Sequence, residues 1–419
     1  MLKTARWTVV ALLGVAIISL SFALGFGVGQ SQEGGRTGGT PTREASTDLP
    51  VSREGVPDFD VLSQIYTILK RDHVDRDFID PDILRTSSIT GLLQALNDPH
   101  TVYIDPKSYE CGSDIVTGTF EGIGARVDMK NGEIVISAPF RDSPAEKAGV
   151  RAGDAILAVD GKSTAGWTLS QAVCTIRGSS GTRVTLTVRH GDGKVGDITI
   201  VRGRIAVGTV DTAEIKDAQG RPVTDIAYLA IQQFTDRTPQ EVQQFLRDIR
   251  NKGYMGLIID LRSNPGGLLS ATLQVSDLFL DGDKVILTEV DAQGQEKVYK
   301  STSGTATNLP IVILAGKGSA SGAEVLAAAL RDNSRAIVIG EQTFGKGSVN
   351  ILRPLPDGGA LYVTISRWRT PSGQQIEGTG LRPDIEVKAT VDEDQFVNSQ
   401  LFRAIDYLRN QALAPTGAP

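Results

Sequence analysis

The sequence predicts a multidomain chain of α/β and α+β class: an N-terminal transmembrane anchor, a helical region, a mainly β module and an α/β core. Three observations carry that prediction. Residues 7–29 (WTVVALLGVAIISLSFALGFGVG) contain no charge. Between 114 and 205, short runs of alternating or β-branched residues surround two short helical patterns. From about 206 onward, continuous β-branched runs alternate with helical stretches, the mark of a parallel sheet buried on both faces. The 419 residues suffice for two to four domains at about 100 to 200 residues each. A net charge of −6 gives no basic footprint and speaks against a nucleic-acid partner.

Lys3 and Arg6 precede the uncharged run. As a helix it would be roughly 34 Å long, enough for a hydrocarbon layer of about 30 Å. Basic residues before it and acidic ones well after it place the rest of the chain outside the cytoplasm as a single-pass protein. A cleaved signal peptide would have a shorter apolar region and an A-x-A site, which is not evident here. Residues 1–30 are therefore assigned to an anchor, and 31–54, rich in Gly, Ser, Thr and charge, to a flexible linker.

From 55 to 113 the spacing of Phe59, Leu62, Ile65 and Leu69, and then of Ile89, Leu92, Leu93 and Leu96, predicts amphipathic helices. In this stretch His100 caps or packs a helix end. The module at 114–205 has strands at GARVDM, EIVISAP, DAILAVDG, RVTLTVR and DITIVR, with helices at 143–148 and 169–176. Whether Leu169, Val173 and Ile176 line a groove or pack the core stays open. So does the state of the chain's two cysteines, Cys111 and Cys174, which are either a disulfide or two buried thiols.

The core, 206–390, begins with strand DIAYLAIQQF, helix TPQEVQQFLRDIRNKG and buried strand MGLIIDLR. Later, strand IVIL leads through GSASG into the Ala/Leu-rich helix AEVLAAAL, and strand RAIVIG leads into EQTFGKGS. A serine at such a strand-to-helix turn projects its hydroxyl into a cleft, with backbone N–H groups aimed at a developing oxyanion. Ser321 and Lys346 then come from adjacent parallel strands. The three histidines, His73, His100 and His190, all lie far from Ser321 along the chain, which favours a lysine as its base. A free lysine has a pKa near 10.4, so acting near neutrality needs a drop of roughly three units, about 4 kcal/mol; burial supplies it. GEQTFGKG nearly spells a phosphate loop, but Gly347 stands where a hydroxyl is needed and VNILRPL continues as strand, which removes the helix N-terminus. The segment 391–419 closes the chain with an amphipathic helix and a loose tail.

Several motifs, in order, carry a resemblance: DPHT (98–101), FEGIGARV (120–127), DLRSNPGGLL (260–269), GSASGAE (318–324), GEQTFGKGSV (340–349) and TPSGQQIEGTGLRPDIEV (370–387). Together they resemble the carboxyl-terminal processing, or tail-specific, serine peptidase family, whose members combine a PDZ domain with a Ser-Lys dyad.

That resemblance implies an endopeptidase cleaving exported proteins near their C-termini. It assigns Ser321, 25 positions before Lys346, as nucleophile in place of Ser319, with the N–H groups of Gly267 and Gly322 stabilising the oxyanion. It makes 114–205 a PDZ domain whose carboxylate-binding loop is Phe120, Gly122, Ile123, Gly124 and Ala125, with the peptide adding as a strand beside Ala125–Val127. It implies that the helical region helps to cover the core, that protein substrates with accessible apolar C-termini are the partners, and that no cofactor or metal is needed. The chain departs from the family pattern at Gly322 and Ala323, and at Asn350, where the family has a glutamine that orients the lysine amine. A shorter amide there implies reduced activity, raised by Asn350→Gln. The alternative is a PDZ-bearing scaffold whose protease fold is weak or inactive.

Overall fold

The computed structural model describes residues 59–106, 108–109, 119–130, 132–140, 142–206, 208–302, 304–389 and 398–413. The expected anchor and linker lie outside these residues. Among the described residues no helix is long and apolar enough to cross a membrane.

Helices α1 (Asp60–Asp72) and α2 (Pro81–Gln94) form where the periodicity predicts them, α2 with Asp80 as N-cap accepting from the amides of Asp82 and Ile83 and with Pro81 at its first position. Neither helix buries a single residue. The expectation that this region covers the core is therefore corrected for its helices: Phe59, Leu62, Ile65, Ile83 and Leu92 stay exposed. What the region does supply is strand β1 (Val102–Ile104), antiparallel to β18 (Ala360–Arg369) of the core.

The chain then enters the β module through β2 (Thr119–Gly122). Strands β3 (Ala125–Lys130), β4 (Glu133–Pro139), β5 (Ala155–Val159), β7 (Arg183–Arg189) and β8 (Val195–Val201) form an antiparallel sheet in that order, with β6 (Lys162–Ser163) paired to β5. Helix α3 (Pro144–Lys147) follows β4. Helix α4 (Leu169–Ile176) opens with a capping box: the Gln171 amide donates to Thr168 Oγ1 and the Thr168 amide to Gln171 Oε1. Ala172 and Ile176 enter the module's core with Ile134, Val184 and Leu186. Leu169 and Val173 are only half-buried, which places them on the open side of α4. Cys174, also on α4, is disulfide-bonded, and Cys111 is the one other cysteine in the chain. The chain leaves through β9 (Gly203–Ala206), antiparallel to β2.

The core contains two sheets. The first runs β10 (Val210–Asp211), β11 (Ile226–Ile231), β12 (Gly256–Asp260), β15 (Ile311–Ala315), β16 (Ala336–Gly340), β19 (Ile385–Glu386), parallel throughout except for β10. Every residue of β12 and β15 is buried. Alternate residues face opposite sides, because side chains of a strand have a period of two. Leu257, Ile259, Ile311 and Ile313 meet helices α5 (Thr238–Ile249), α6 (Leu269–Asp277) and α7 (Gly322–Asp332). Ile258, Val312 and Leu314 meet Leu401, Ala404, Ile405 and Leu408 of helix α8 (Ser399–Leu413). Each such buried aliphatic side chain contributes roughly 1.5–3 kcal/mol.

The second sheet, β1-β18-β13-β14 with β17 (Ser348–Pro354) paired to β18, is antiparallel. Its hairpin β13 (Val285–Asp291) and β14 (Glu296–Lys300) is not among the sequence-predicted elements. Gly340 ends β16 at φ +140°, and a Cβ there would lie 1.9 Å from the Ala315 carbonyl oxygen. Gly340→Ala must push β15 and β16 apart just where both deliver their loops. We expect it to lower stability by roughly 3 kcal/mol or more, read as a fall in the urea midpoint; an unchanged midpoint would contradict this packing.

Candidate active site

Strand β15 is followed by Gly316 to Ala320 and then Ser321, the residue before α7. Ser321 takes φ 53°, ψ −116°, a conformation disfavoured for a residue with a side chain. Its backbone is held from several directions. Ala320 N–H donates to Asn264 O (3.0 Å), and Ser319 Oγ donates to Leu261 O (2.8 Å) while accepting from Gly316 N–H. The Ser319 hydroxyl is thus fully engaged in holding the turn. The Ser321 hydroxyl, buried, has no hydrogen-bond partner among the described residues.

Lys346 follows β16 and precedes β17, and is 1% exposed. Its carbonyl accepts from Trp368 Nε1 (3.1 Å), and the next carbonyl, of Gly347, accepts from Trp368 N–H. Close backbone approach on the other side needs glycine: a Cβ on Gly345 would lie 2.6 Å from Gly380 N, and one on Gly347 2.8 Å from Glu377 N. Burial pulls the Lys346 amine down to about 8, against the opposing charges of Glu377, Asp98 and Glu324. Its Nζ lies 5.4 Å from the centroid of the Tyr362 ring.

One residue joins the two loops, and the sequence gives no sign of it. Glu324, in the first turn of α7 and fully buried, accepts from Ser321 N–H (2.9 Å) and Lys346 N–H (2.9 Å) with a single oxygen, Oε2. The two backbone nitrogens are therefore no farther apart than twice that distance. Its other oxygen accepts from Gly345 N–H (2.7 Å) and from the Thr343 hydroxyl. Burial raises the carboxyl pKa on balance, while these four donors favour its ionised form.

The turn of residues 264–267 closes against Ser321. Asn264 Oδ1 accepts from Gly266 N–H (2.7 Å) and its Nδ2 donates to Ile231 O (2.8 Å). A Cβ on Gly266 would lie 2.8 Å from both Gly322 N and Ser321 Cβ. Gly267 has φ +144°, and a Cβ there would strike Phe234 O at 2.0 Å. The carbonyl before its flanking peptide, Gly266 O, and the amide after it, Leu268 N–H, both bond Phe234. The Gly267 N–H consequently points to the opposite side. Gly266, the neighbour of Gly267, thus packs against Gly322 at the Ser321 turn.

Other sequence-predicted residues fall differently. Asn350 was expected to orient the lysine amine. Instead, its amide Nδ2 donates to His100 O (3.1 Å) and Thr364 Oγ1 (2.8 Å), and its Oδ1 accepts from Ser348 Oγ (3.1 Å). His100, expected at a helix end, lies instead in the loop leading to β1, buried against β17 and beside Glu377. Ser321 is 2% exposed, in contrast to the open cleft expected around its hydroxyl. A cavity of about 370 Å³ at the carboxyl ends of the parallel strands is lined by Tyr228, Asp260, Arg262, Lys317, Glu341 and Gln400, and includes neither Ser321 nor Lys346.

In the β module, Phe120 and Gly122 belong to β2, and Ile123 is buried. Ile123 O accepts from Ala145 N–H and Gly124 O from Phe140 N–H. Because the peptide unit is planar and trans, the N–H groups of Gly124 and Ala125 point the other way. Gly124 has φ +75°, and a Cβ would lie 2.6 Å from Ser143 Cβ. From Ala125 onward, β3 is an edge strand, paired among the described residues with β4 alone. Two N–H groups therefore lie beside this strand edge.

With this geometry in hand, the comparisons with known proteins agree. The model of peptidase family S41 matches residues 225–387, and that of a PDZ domain matches residues 122–190. These define a peptidase carrying a peptide-recognition module. The carboxy-terminal processing protease CtpA of Bacillus subtilis is 37% identical over 331 residues, covering 79% of this chain and 69% of the relative. A carboxy-terminal-processing protease of Bartonella bacilliformis is 40% identical over 320 residues, covering 75% and 72%. Among solved structures, the photosystem II D1 C-terminal processing protease is 26% identical, covers 80% of this chain and 89% of its own, and has a TM-score of 0.47. The chain belongs to the carboxy-terminal processing serine proteases of family S41.

Two predictions follow from the site's packing. Glu324→Gln places an amide donor among the four donors of Ser321, Lys346, Gly345 and Thr343; we expect a stability loss of about 1–3 kcal/mol by denaturant titration and a large drop in cleavage. Asn350→Gln adds a methylene at a fully buried, satisfied position. We expect lower turnover and a cost of about 1–3 kcal/mol, so a faster Asn350→Gln variant would restore the orienting role.

Proposed function

We propose that the chain is a serine endopeptidase working through a Ser321-Lys346 dyad. The observation that supports this reading is the shared Glu324 oxygen, which accepts from the backbone N–H of Ser321 and of Lys346 at 2.9 Å each. Lys346, neutral, takes the proton of Ser321 Oγ as that oxygen bonds to the substrate carbonyl carbon. The N–H groups of Gly267 and Gly322 receive the oxyanion. The tetrahedral species collapses, the C–N bond breaks, and Lys346 returns the proton to the leaving amine. Water then attacks the acyl carbon, giving a proton to Lys346; the C–Oγ bond breaks, the new C-terminus leaves, and Lys346 returns that proton to Ser321 Oγ.

The PDZ domain recruits substrate C-termini, with the N–H groups of Gly124 and Ala125 taking the terminal carboxylate and β3 accepting the peptide as an added strand. The half-buried Leu169 and Val173 on α4 favour apolar tails. Attachment to a membrane by residues 1–30, with the catalytic part outside the cytoplasm, rests on the sequence pattern alone. One observation favours the scaffold alternative: among the described residues the Ser321 hydroxyl has no hydrogen-bond partner, and Ser321 and Lys346 are both buried. In the protease reading this is a resting conformation that opens before cleavage.

The test is cleavage of an unstructured protein with an apolar tail by purified residues 31–419. Ser321→Ala and Lys346→Ala should each lose at least about a thousandfold in rate. The base must be neutral, so the parent's rate should rise tenfold per pH unit below about 8 and level off above it. A parent that binds the tail yet leaves it intact supports the scaffold. Deleting residues 118–203 should abolish the preference for apolar tails; an unchanged preference removes the PDZ from the argument.

A further inference from the structure

Beside Lys346 lie charged and polar side chains that the reaction above does not use: buried His100, half-buried Glu377 and exposed Arg367. His100 Nε2 is 2.9 Å from Glu377 Oε1. His100 Nδ1 is buried and has no hydrogen-bond partner among the described residues, so the tautomer that fits carries its proton on Nε2 and donates it to the carboxylate. On the other side, Arg367 Nη1 lies 3.1 Å from Glu377 Oε2.

This group is fastened to the Lys346 loop at every point. Asp98 accepts from His100 N–H (3.0 Å) and from the Thr101 hydroxyl (2.7 Å), and Thr101 Oγ1 accepts from Thr364 N–H on β18. The His100 carbonyl accepts from Asn350 on β17. Next to Glu377, Gly378 N–H donates to Gly345 O (2.9 Å). The backbone of Glu377 thus runs against the residues flanking Lys346.

A lysine that takes a proton in a site 1% exposed creates an ammonium ion out of water. Left uncompensated, such a charge costs several kcal/mol. The charges facing the amine are Glu377, Asp98 and Glu324, with the Tyr362 ring against it. Glu324 answers four donors, Asp98 two, and Glu377 the His100 ring and the Arg367 guanidinium, the latter at the half-exposed edge of the group. Of the three carboxylates, Glu377 acts most strongly on the amine.

We infer that Glu377, held in place by His100, is the counter-charge for the ammonium that Lys346 becomes when it takes the Ser321 proton. Both are positioning residues; neither touches substrate nor exchanges a proton. Glu377 does here what the carboxylate does behind the imidazole of a Ser-His-Asp triad. The inference rests on the Ser321-Lys346 reading.

Glu377→Gln is the informative change, because its amide oxygen still accepts the His100 proton while the charge is gone. Losing a negative neighbour makes the Lys346 ammonium less favourable. The rising limb of kcat against pH should therefore move by about half a unit or more toward lower pH, while the high-pH plateau falls about tenfold and KM holds. His100→Phe, which keeps the ring volume without the donor, should shift the limb in the same direction by less, and His100→Gln should restore it. A purely structural role would lower the rate equally at every pH; a limb left in place by Glu377→Gln, with Ser321→Ala and Lys346→Ala inert, overturns this inference alone. If those two variants cleave as the parent does, the dyad and its counter-charge fail together.

Discussion

The carboxylate of Glu324 is the constraint on which the site depends. Parallel strands β15 and β16 pair from Ile311↔Ala336 to Ala315↔Gly340, so their carboxyl ends emerge side by side. Adjacency alone does not set the distance between two flexible loops. Helix α7 starts at the end of the first loop and carries a carboxylate in its first turn, where it faces the N–H groups of that turn and of the second loop together. Four donors converge on two oxygens with no water between them. That arrangement compensates the burial of the charge, and it makes the positions of Ser321 and Lys346 a single variable.

Around that clamp the backbones interleave too tightly for side chains. Gly266, Gly345, Gly347 and Gly380 each sit where a Cβ would come within 3 Å of another chain segment. Close packing of this kind resists displacement. It also keeps water from the lysine, and exclusion of water is what lowers its affinity for a proton. Rigidity and basicity at this site thus have a common origin in the packing of glycine-rich loops.

Local pattern made much of this legible. The β-branched runs of β12, β15 and β16 and the Ala/Leu content of α7 announce a two-faced parallel sheet, and the alternation in residues 114–205 announces the β module. What escaped is what depends on partners distant in sequence. Strand β1 meets β18 across more than 250 residues, and the hairpin β13–β14 joins the same sheet with no signal beyond ordinary alternation. A glutamate in an alanine-rich helix reads as a solvated surface residue, so the role of Glu324 was invisible. His100 lies 277 residues from Glu377, and Asn350 was read from the family's longer glutamine while its own partners are His100, Thr364 and Ser348. Periodicity likewise places the apolar stripe on α1 but says nothing of what covers it.

Strands β2 and β9 pair as a two-stranded antiparallel ribbon. Register partners Phe120↔Ile205 and Gly122↔Gly203 bring the way into the PDZ domain and the way out of it side by side. The whole module is therefore an insertion between β1 and β10 whose two ends meet at a single seam. A unit joined in this way behaves as a cassette: evolution can exchange or lose it at one place on the surface while the host sheet, which draws strands from both sides of the seam, keeps its chain path.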